Sequence, residues 1–162
     1  GPFMTAIILT AAVGSSMATE LGTMTISDEI DALEMMSISD VEFLVMPRIA
    51  AMAIMLPIAT IYSNMLGTIG GAIVAKSHLG VPYETFYHHV LQSLWFKAVY
   101  VGLLKSFIFG LCTSSISCAQ GLRASHGAMG VGRATRDSVV ISLVMILVTG
   151  YYITEIFFRE GL

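Results

Sequence analysis

Residues 49–75 read IAAMAIMLPIATIYSNMLGTIGGAIVA, 27 residues without a charged side chain. A helix of that length reaches about 40 Å against a hydrocarbon core about 30 Å thick, so the stretch crosses a bilayer with room to tilt. Pro57 is expected to kink it. Two neighbouring stretches have the same character: Val90 to Ala119 is interrupted only by Lys97 and Lys105, and Ser138 to Phe158 only by Glu155. Pro2 to Ala18 is slightly short for a span, begins at the chain end, and is expected to be the remainder of one. Its first residues, Pro2-Phe3-Met4, are apolar at once and lack the basic n-region of a signal peptide. The whole chain is 56% hydrophobic and only 12% charged, about half the charge of an average soluble domain. These features predict an all-α integral membrane protein with about four membrane helices.

Between the apolar stretches lie three polar segments. The first is acidic, holding seven of the eleven carboxylates between Glu20 and Glu42. Thr25-x-x-Asp28 has the spacing of a capping box, and Asp28, Glu29 and Asp31 would favour a helix N-terminus, so a helix is expected over 25–36. Ile26, Ile30, Leu33 and Met36 recur on one face of it, Asp28, Asp31 and Met35 on the other, with Glu29 and Glu34 flanking. Such a helix either lies on the bilayer or docks on another protein. Helices that lie on bilayers usually carry Lys and Arg toward the headgroups, and this one has none, which favours docking. Ser39-x-x-Glu42 is a second capping box, and Pro47 predicts a short interfacial helix that turns into the membrane near Pro47-Arg48.

The other polar segments are Lys76 to His89, read as a short loop, and Gln120 to Asp137, read as a flexible Gly-rich loop. Two spans separate the acidic segment from the Gly-rich one, so both belong on one side of the membrane. That side holds Arg48, Arg123, Arg133 and Arg136, against Lys76 and Arg159 opposite, which makes it cytoplasmic by the positive-inside rule.

Several patterns exclude chemistry. Gly127-Ala-Met-Gly130-Val-Gly132 follows no strand and matches no phosphate-binding loop, so nucleotide binding is not expected. His88-His89 lack a metal-binding frame, and no His within a span can serve a Ser nucleophile as base. Cys112 and Cys118 point to different sides of a helix and are expected to be free thiols. Eight basic residues against eleven acidic ones, with no basic cluster among aromatics, argue against nucleic acid. Gly67-x-x-x-Gly71 permits close helix approach, for packing within the chain in preference to a subunit interface. Lys97 can reach the interface by snorkelling. Lys105 lies near mid-span, where a charge faces a cavity or a structural partner; it is read as either a contact for an anionic headgroup or a packing pair.

The order of these motifs resembles the MlaE/YrbE family of ABC-transporter permeases, the membrane subunits of MCE-type lipid transport systems. The resemblance rests on Gly1-Pro2 before an apolar run, and on Val13-Gly14-Ser15 with Ala18-Thr19-Glu20-Leu21-Gly22-Thr23-Met24. It continues through Glu29-Ile30-Asp31-Ala32-Leu33-Glu34-Met35-Met36, Pro47-Arg48, Leu56-Pro57 and Gly70-Gly71. Lys105-Ser106 with Phe109-Gly110, and Gly130-Val131-Gly132-Arg133-Ala134-Thr135 with Ser138-Val139-Val140, complete it. Ala12-Val13 stands where an Arg is common in the family, and Arg136 where a second Thr is common.

The resemblance implies an interfacial helix followed by five membrane helices, of which this chain begins at the second. Residues 1–162 would form a single, partial MlaE-type permease domain. The chain would be a transport subunit and not an enzyme, docking a cytoplasmic ABC ATPase through Glu20, Glu29, Ile30, Asp31, Leu33, Glu34 and Met36. It would hold no cofactor or metal itself, ATP and Mg belonging to the ATPase. A second permease copy, an MCE-domain lipid-binding protein and phospholipid would be its other partners, in a bacterial inner membrane or a chloroplast inner envelope. The rival reading is an ion-coupled secondary transporter that uses Lys105 and Glu155 along its pathway.

Overall fold

The computed structural model describes residues 1–79, 82–93 and 96–159. They are almost entirely helical, with no strand among the described residues, and four helices are long and apolar enough to cross a membrane: Pro2–Ile26, Val41–Ser77, Phe96–Leu122 and Gly127–Phe157. An integral membrane protein is what the apolar runs require, because a bilayer interior leaves backbone groups no partner but their own helix.

The first span is longer than its apolar run. Past Ala18 the helix continues to Ile26 although the residues turn polar. Their hydroxyls bond back into the helix: Thr19 donates to the Ser15 carbonyl (2.8 Å), Thr23 to Thr19 (2.8 Å) and Thr25 to Leu21 (2.7 Å). Thr25 is therefore inside a helix and does not cap the next one. The chain breaks at Ser27-Asp28, where Asp28 takes a left-handed φ of 57°, and the acidic helix is the shorter Glu29–Met35. It ends in a Schellman arrangement: Ser37 at φ 58° donates its N–H to the Glu34 carbonyl (2.9 Å), and Ile38 donates to Leu33 (3.2 Å). Glycine is the usual residue at that position, which is why a Ser there gives no visible stop signal.

The second span also departs from expectation. Asp40, not Ser39, is the cap, accepting the Val41 N–H at 2.8 Å. No separate interfacial helix ends at Pro47. A π-helical turn, Val41–Val45, leads directly into Met46–Leu79, and such a local adjustment accommodates a proline that cannot donate. Pro57 lies inside the same continuous helix.

Two segments read as loops are helical. The second span's helix runs to Leu79, and a further helix, Tyr83–Ser93, follows. The Gly-rich segment forms the first turns of the fourth span, whose helix begins at Gly127, so the connection shrinks to 123–126. Burial outweighs the glycines here. Val131 and Ala134 are buried with Ala124 against Ile26 at the end of the first span, and tertiary packing of this kind overrides weak local propensity. The same contact places the acidic helix and the 123–126 turn at one end of the bundle.

Phe109, Leu56, Met52, Ala6 and Ile146 form the centre of the bundle, with Phe3 edge-on to Phe109 at 6.4 Å. Glycines set the closest crossings. A Cβ on Gly110 would stand 2.8 Å from the Met52 carbonyl oxygen, and one on Gly121 2.9 Å from that of Ala18. Close backbone approach of this sort is how helices associate where lipid removes the hydrophobic drive between them.

Candidate functional site

The two ends of the bundle carry different chemistry. At the acidic end, the first span contributes Glu20, whose Oε2 lies 3.0 Å from Arg48 Nη1 at the start of the second span. The N–H does not point along that line well enough to make a hydrogen bond, so the contact is Coulombic. With Glu20 mostly exposed, such a pair is worth about 0–1 kcal/mol. Thr19 and Thr135 share a hydrogen bond of 2.8 Å between the first and fourth spans. Ser117 and Ser138 do the same between the third and fourth at 3.0 Å. These contacts hold the platform from which the acidic helix projects.

On that helix the expected residues separate. Ile30 is buried, 8% exposed, against its own chain, and Leu33 is half-buried. Ile30 is thus an anchor for the helix and not an outward docking group. Glu29, Asp31, Glu34 and Met36 face solvent, and none of the three carboxylates has an ion-pair partner among the described residues. Met35, grouped with the acidic face by its spacing, is 89% exposed and is the most prominent apolar group of the segment. An exposed methionine thus stands beside three carboxylates that have no ion-pair partner among the described residues.

At the opposite end is a cleft of about 1290 Å³, bounded by the start of the first span, the second span, the Tyr83–Ser93 helix and the third span. It exceeds the roughly 300–1,000 Å³ typical of sites for drug-sized ligands. Its walls are mainly apolar, with Ser63, Asn64, Thr68, Glu84 and the Tyr87 hydroxyl as the polar groups of its side chains. Gly67 lies in the wall. No atom stands within 4 Å of where a Cβ would sit on Gly67 or Gly70, and Gly71 meets only the Phe86 ring at 3.7 Å. The Gly67-x-x-x-Gly71 pattern therefore does not pack one span on another within the described residues. It leaves a flat, small-residue face beside the cleft.

Lys105 is not among the residues of that cleft. Its Nζ donates to Thr154 Oγ1 at 2.6 Å, and Thr154 in turn donates to the Gly150 carbonyl at 2.6 Å. The lysine thus links the third and fourth spans. Lys105→Met keeps the apolar stem and removes this link. It is expected to lower thermal stability by about 1 kcal/mol or less, the usual worth of an interhelical hydrogen bond in a membrane, while transport per folded protein stays unchanged. Unfolding in detergent measured beside vesicle transport checks this; lost transport at full stability would place the charge on the substrate pathway. Glu155 pairs with Arg159 at 3.6 Å near the end of the fourth span.

Sequence comparison supplies the family. A profile described as Permease MlaE matches residues 1–156. A probable ABC transporter permease protein of Rickettsia bellii is 36% identical over 159 residues, covering 98% of this chain and 61% of the relative. A probable ABC transporter permease protein of Synechocystis is 34% identical over 98% of this chain and 60% of its own length. The chloroplastic protein trigalactosyldiacylglycerol 1 of Arabidopsis thaliana is 30% identical over 98% of this chain and 45% of its own length. The chain thus spans about three-fifths, or less, of these relatives. With four apolar helices packed through glycine crossings and a match that runs through nearly every residue, this chain is an all-α membrane protein belonging to the MlaE permease family.

Proposed function

We propose that this chain is the permease subunit of an ATP-driven transporter of phospholipid, coupled to a separate ATPase through the acidic helix. The observation that carries the reading is that helix: seven residues long, anchored inward by Ile30, and presenting Glu29, Asp31, Glu34 and Met35 to solvent. A short rigid element between two spans is suited to act as a lever. Movement of a bound ATPase would pass through Ile30, Ile26 and the Glu20–Arg48 contact to the first, second and fourth spans, and so to the cleft. The names of the relatives include ABC transporter permease, and one carries the name of a glycerolipid. ATP and Mg would sit in the ATPase, and this chain would make and break no bonds. A second permease copy and an MCE-domain protein complete the proposed assembly, in a bacterial inner membrane or a chloroplast inner envelope.

The test is reconstitution of the full-length permease in vesicles with and without its ATPase and ATP. Movement of labelled phospholipid that needs both supports the reading. Transport without an ATPase would replace it with a secondary carrier.

Sidedness follows from the same proposal. Cysteines placed at Ser77 and Ser125, which lie toward opposite ends of the bundle, are expected to react with a membrane-impermeant thiol reagent from opposite sides, Ser125 from the cytoplasm. Reaction of both from one side would remove the topology and the coupling with it.

A further inference from the structure

A second pocket, of about 390 Å³, lies where the third span ends and the fourth begins, at the end of the bundle away from the large cleft. Gln120, Arg123, Ser125, His126, Arg133 and Asp137 contribute its polar wall. Neither Arg123 nor Arg133 has an ion-pair partner among the described residues, whereas Asp137 is already engaged by Arg136 at 3.6 Å. The pocket is therefore lined by two arginines without ion-pair partners and by one carboxylate already paired with a neighbour. Guanidinium forks match the oxygens of a phosphate and bind it through paired, charge-assisted hydrogen bonds.

Depth in the membrane narrows the source of such an anion. The charge-free part of the fourth span begins at Ser138, and Arg133 precedes it by about 7.5 Å along the helix at 1.5 Å per residue. The headgroup layer on each side of a bilayer is about 5–8 Å thick, so a span that enters the hydrocarbon upright at Ser138 holds Arg133 at phosphate level. The face that carries Arg133 and Asp137 continues at helical spacing through Val140, Ile141, Val144 and Leu147. All four of these are exposed. A headgroup in the pocket would lay its acyl chains along that ridge.

We infer that the Arg123–Arg133 pocket binds a phosphate group, that of an anionic phospholipid seated against the fourth span, or free phosphate of the same chemistry. This site is separate from the transport cleft and does not depend on the coupling proposed above.

Binding of short-chain phosphatidylglycerol, short-chain phosphatidylcholine and inorganic phosphate to the detergent-solubilised full-length permease, read by calorimetry, tests the inference. Phosphatidylglycerol is expected to bind more tightly than phosphatidylcholine, whose choline ammonium meets the same arginines. The double variant Arg123→Gln, Arg133→Gln is expected to weaken phosphatidylglycerol binding about tenfold or more, while Arg159→Gln at the far end changes it less than about twofold. Both target side chains are exposed, and the single variants carry the comparison if the double variant aggregates, with a loss of about threefold each. If inorganic phosphate displaces the lipid, the pocket reads the phosphate alone. If it does not, and the variants still lose the lipid, the lipid is the ligand. Unchanged lipid affinity in the variants overturns the inference, and so does a loss confined to ATPase association, which would make the pocket a protein-docking surface.

Discussion

Asp31→Lys combined with Glu34→Lys is expected to uncouple the permease from its ATPase. Both carboxylates are exposed and lack ion-pair partners within the described chain, so reversing them costs the fold about 1 kcal/mol or less, chiefly through Asp31 in the first turn of the helix. At the proposed interface each reversal both removes an attraction and adds a repulsion. Exposed pairs are worth about 0–1 kcal/mol each, so two reversals amount to about 2 kcal/mol or more, roughly 30-fold in affinity. Neutral replacement, Asp31→Asn, is expected to have a smaller effect.

The apolar variants divide according to where their side chains point. Met35→Ala removes the most exposed apolar group of the segment and is expected to weaken docking with no change in the permease's own stability. Ile30→Ala opens a cavity inside the chain and is expected to destabilise the acidic helix by about 2–4 kcal/mol, losing coupling indirectly. Leu33, half-buried, is expected to fall between them. Pull-down of the ATPase and lipid-stimulated ATP hydrolysis, each beside a thermal melt of the permease alone, separate these cases. Normal binding and coupling by the double Lys variant would sink the acidic helix as the coupling element.

Gly110→Val and Gly121→Val are each expected to cost the folded bundle about 3 kcal/mol, a fall in Tm of roughly 6–12 °C at this size, or to prevent monodisperse purification. A Cβ at Gly110 stands 2.8 Å from the Met52 oxygen and 3.2 Å from the Ala53 Cα; at Gly121 it stands 2.8 Å from the Leu21 Cβ and 2.9 Å from the Ala18 oxygen. These neighbours are backbone or backbone-proximal atoms, so whole helices must separate. Gly67→Val is the control. Its Cβ meets nothing within 4 Å, and the melt of the single chain is expected to stay unchanged even if assembly with a second copy is altered. Equal melts for all three variants would mean that the glycine crossings do not set the helix spacing.

The contrast among these glycines shows where local reading ends. Gly67-x-x-x-Gly71 has the spacing associated with close helix packing, yet it faces open space and one phenylalanine ring. Gly110 and Gly121 have no glycine at that spacing within their helix, only Ser106, Ser114 and Ser117, yet they sit at backbone crossings. A spacing states what a helix face permits. Which face meets another helix depends on how four spans are arranged, and no single segment contains that.

Length and hydrophobicity by themselves determined that this chain is helical, that it lives in a membrane and that an acidic segment interrupts it, because a bilayer imposes its thickness and its lack of hydrogen-bond partners on any span. The order of motifs was equally legible, since it lies along the chain. Tertiary structure alone decided the ends of the helices and the roles of single residues. Thr25 reads as a cap but sits within the first span's helix and reaches across to the Gly121 carbonyl at 3.5 Å, and the glycines at 127–132 read as a loop but are held helical by Val131 and Ala134 against Ile26. Ile30 turns inward, Lys105 finds Thr154, and Glu20 finds Arg48 at 3.0 Å. Each of these outcomes is a contact between residues far apart in sequence, or a burial that overrides a local preference worth less than about 1 kcal/mol per residue, and only packing brings such terms together.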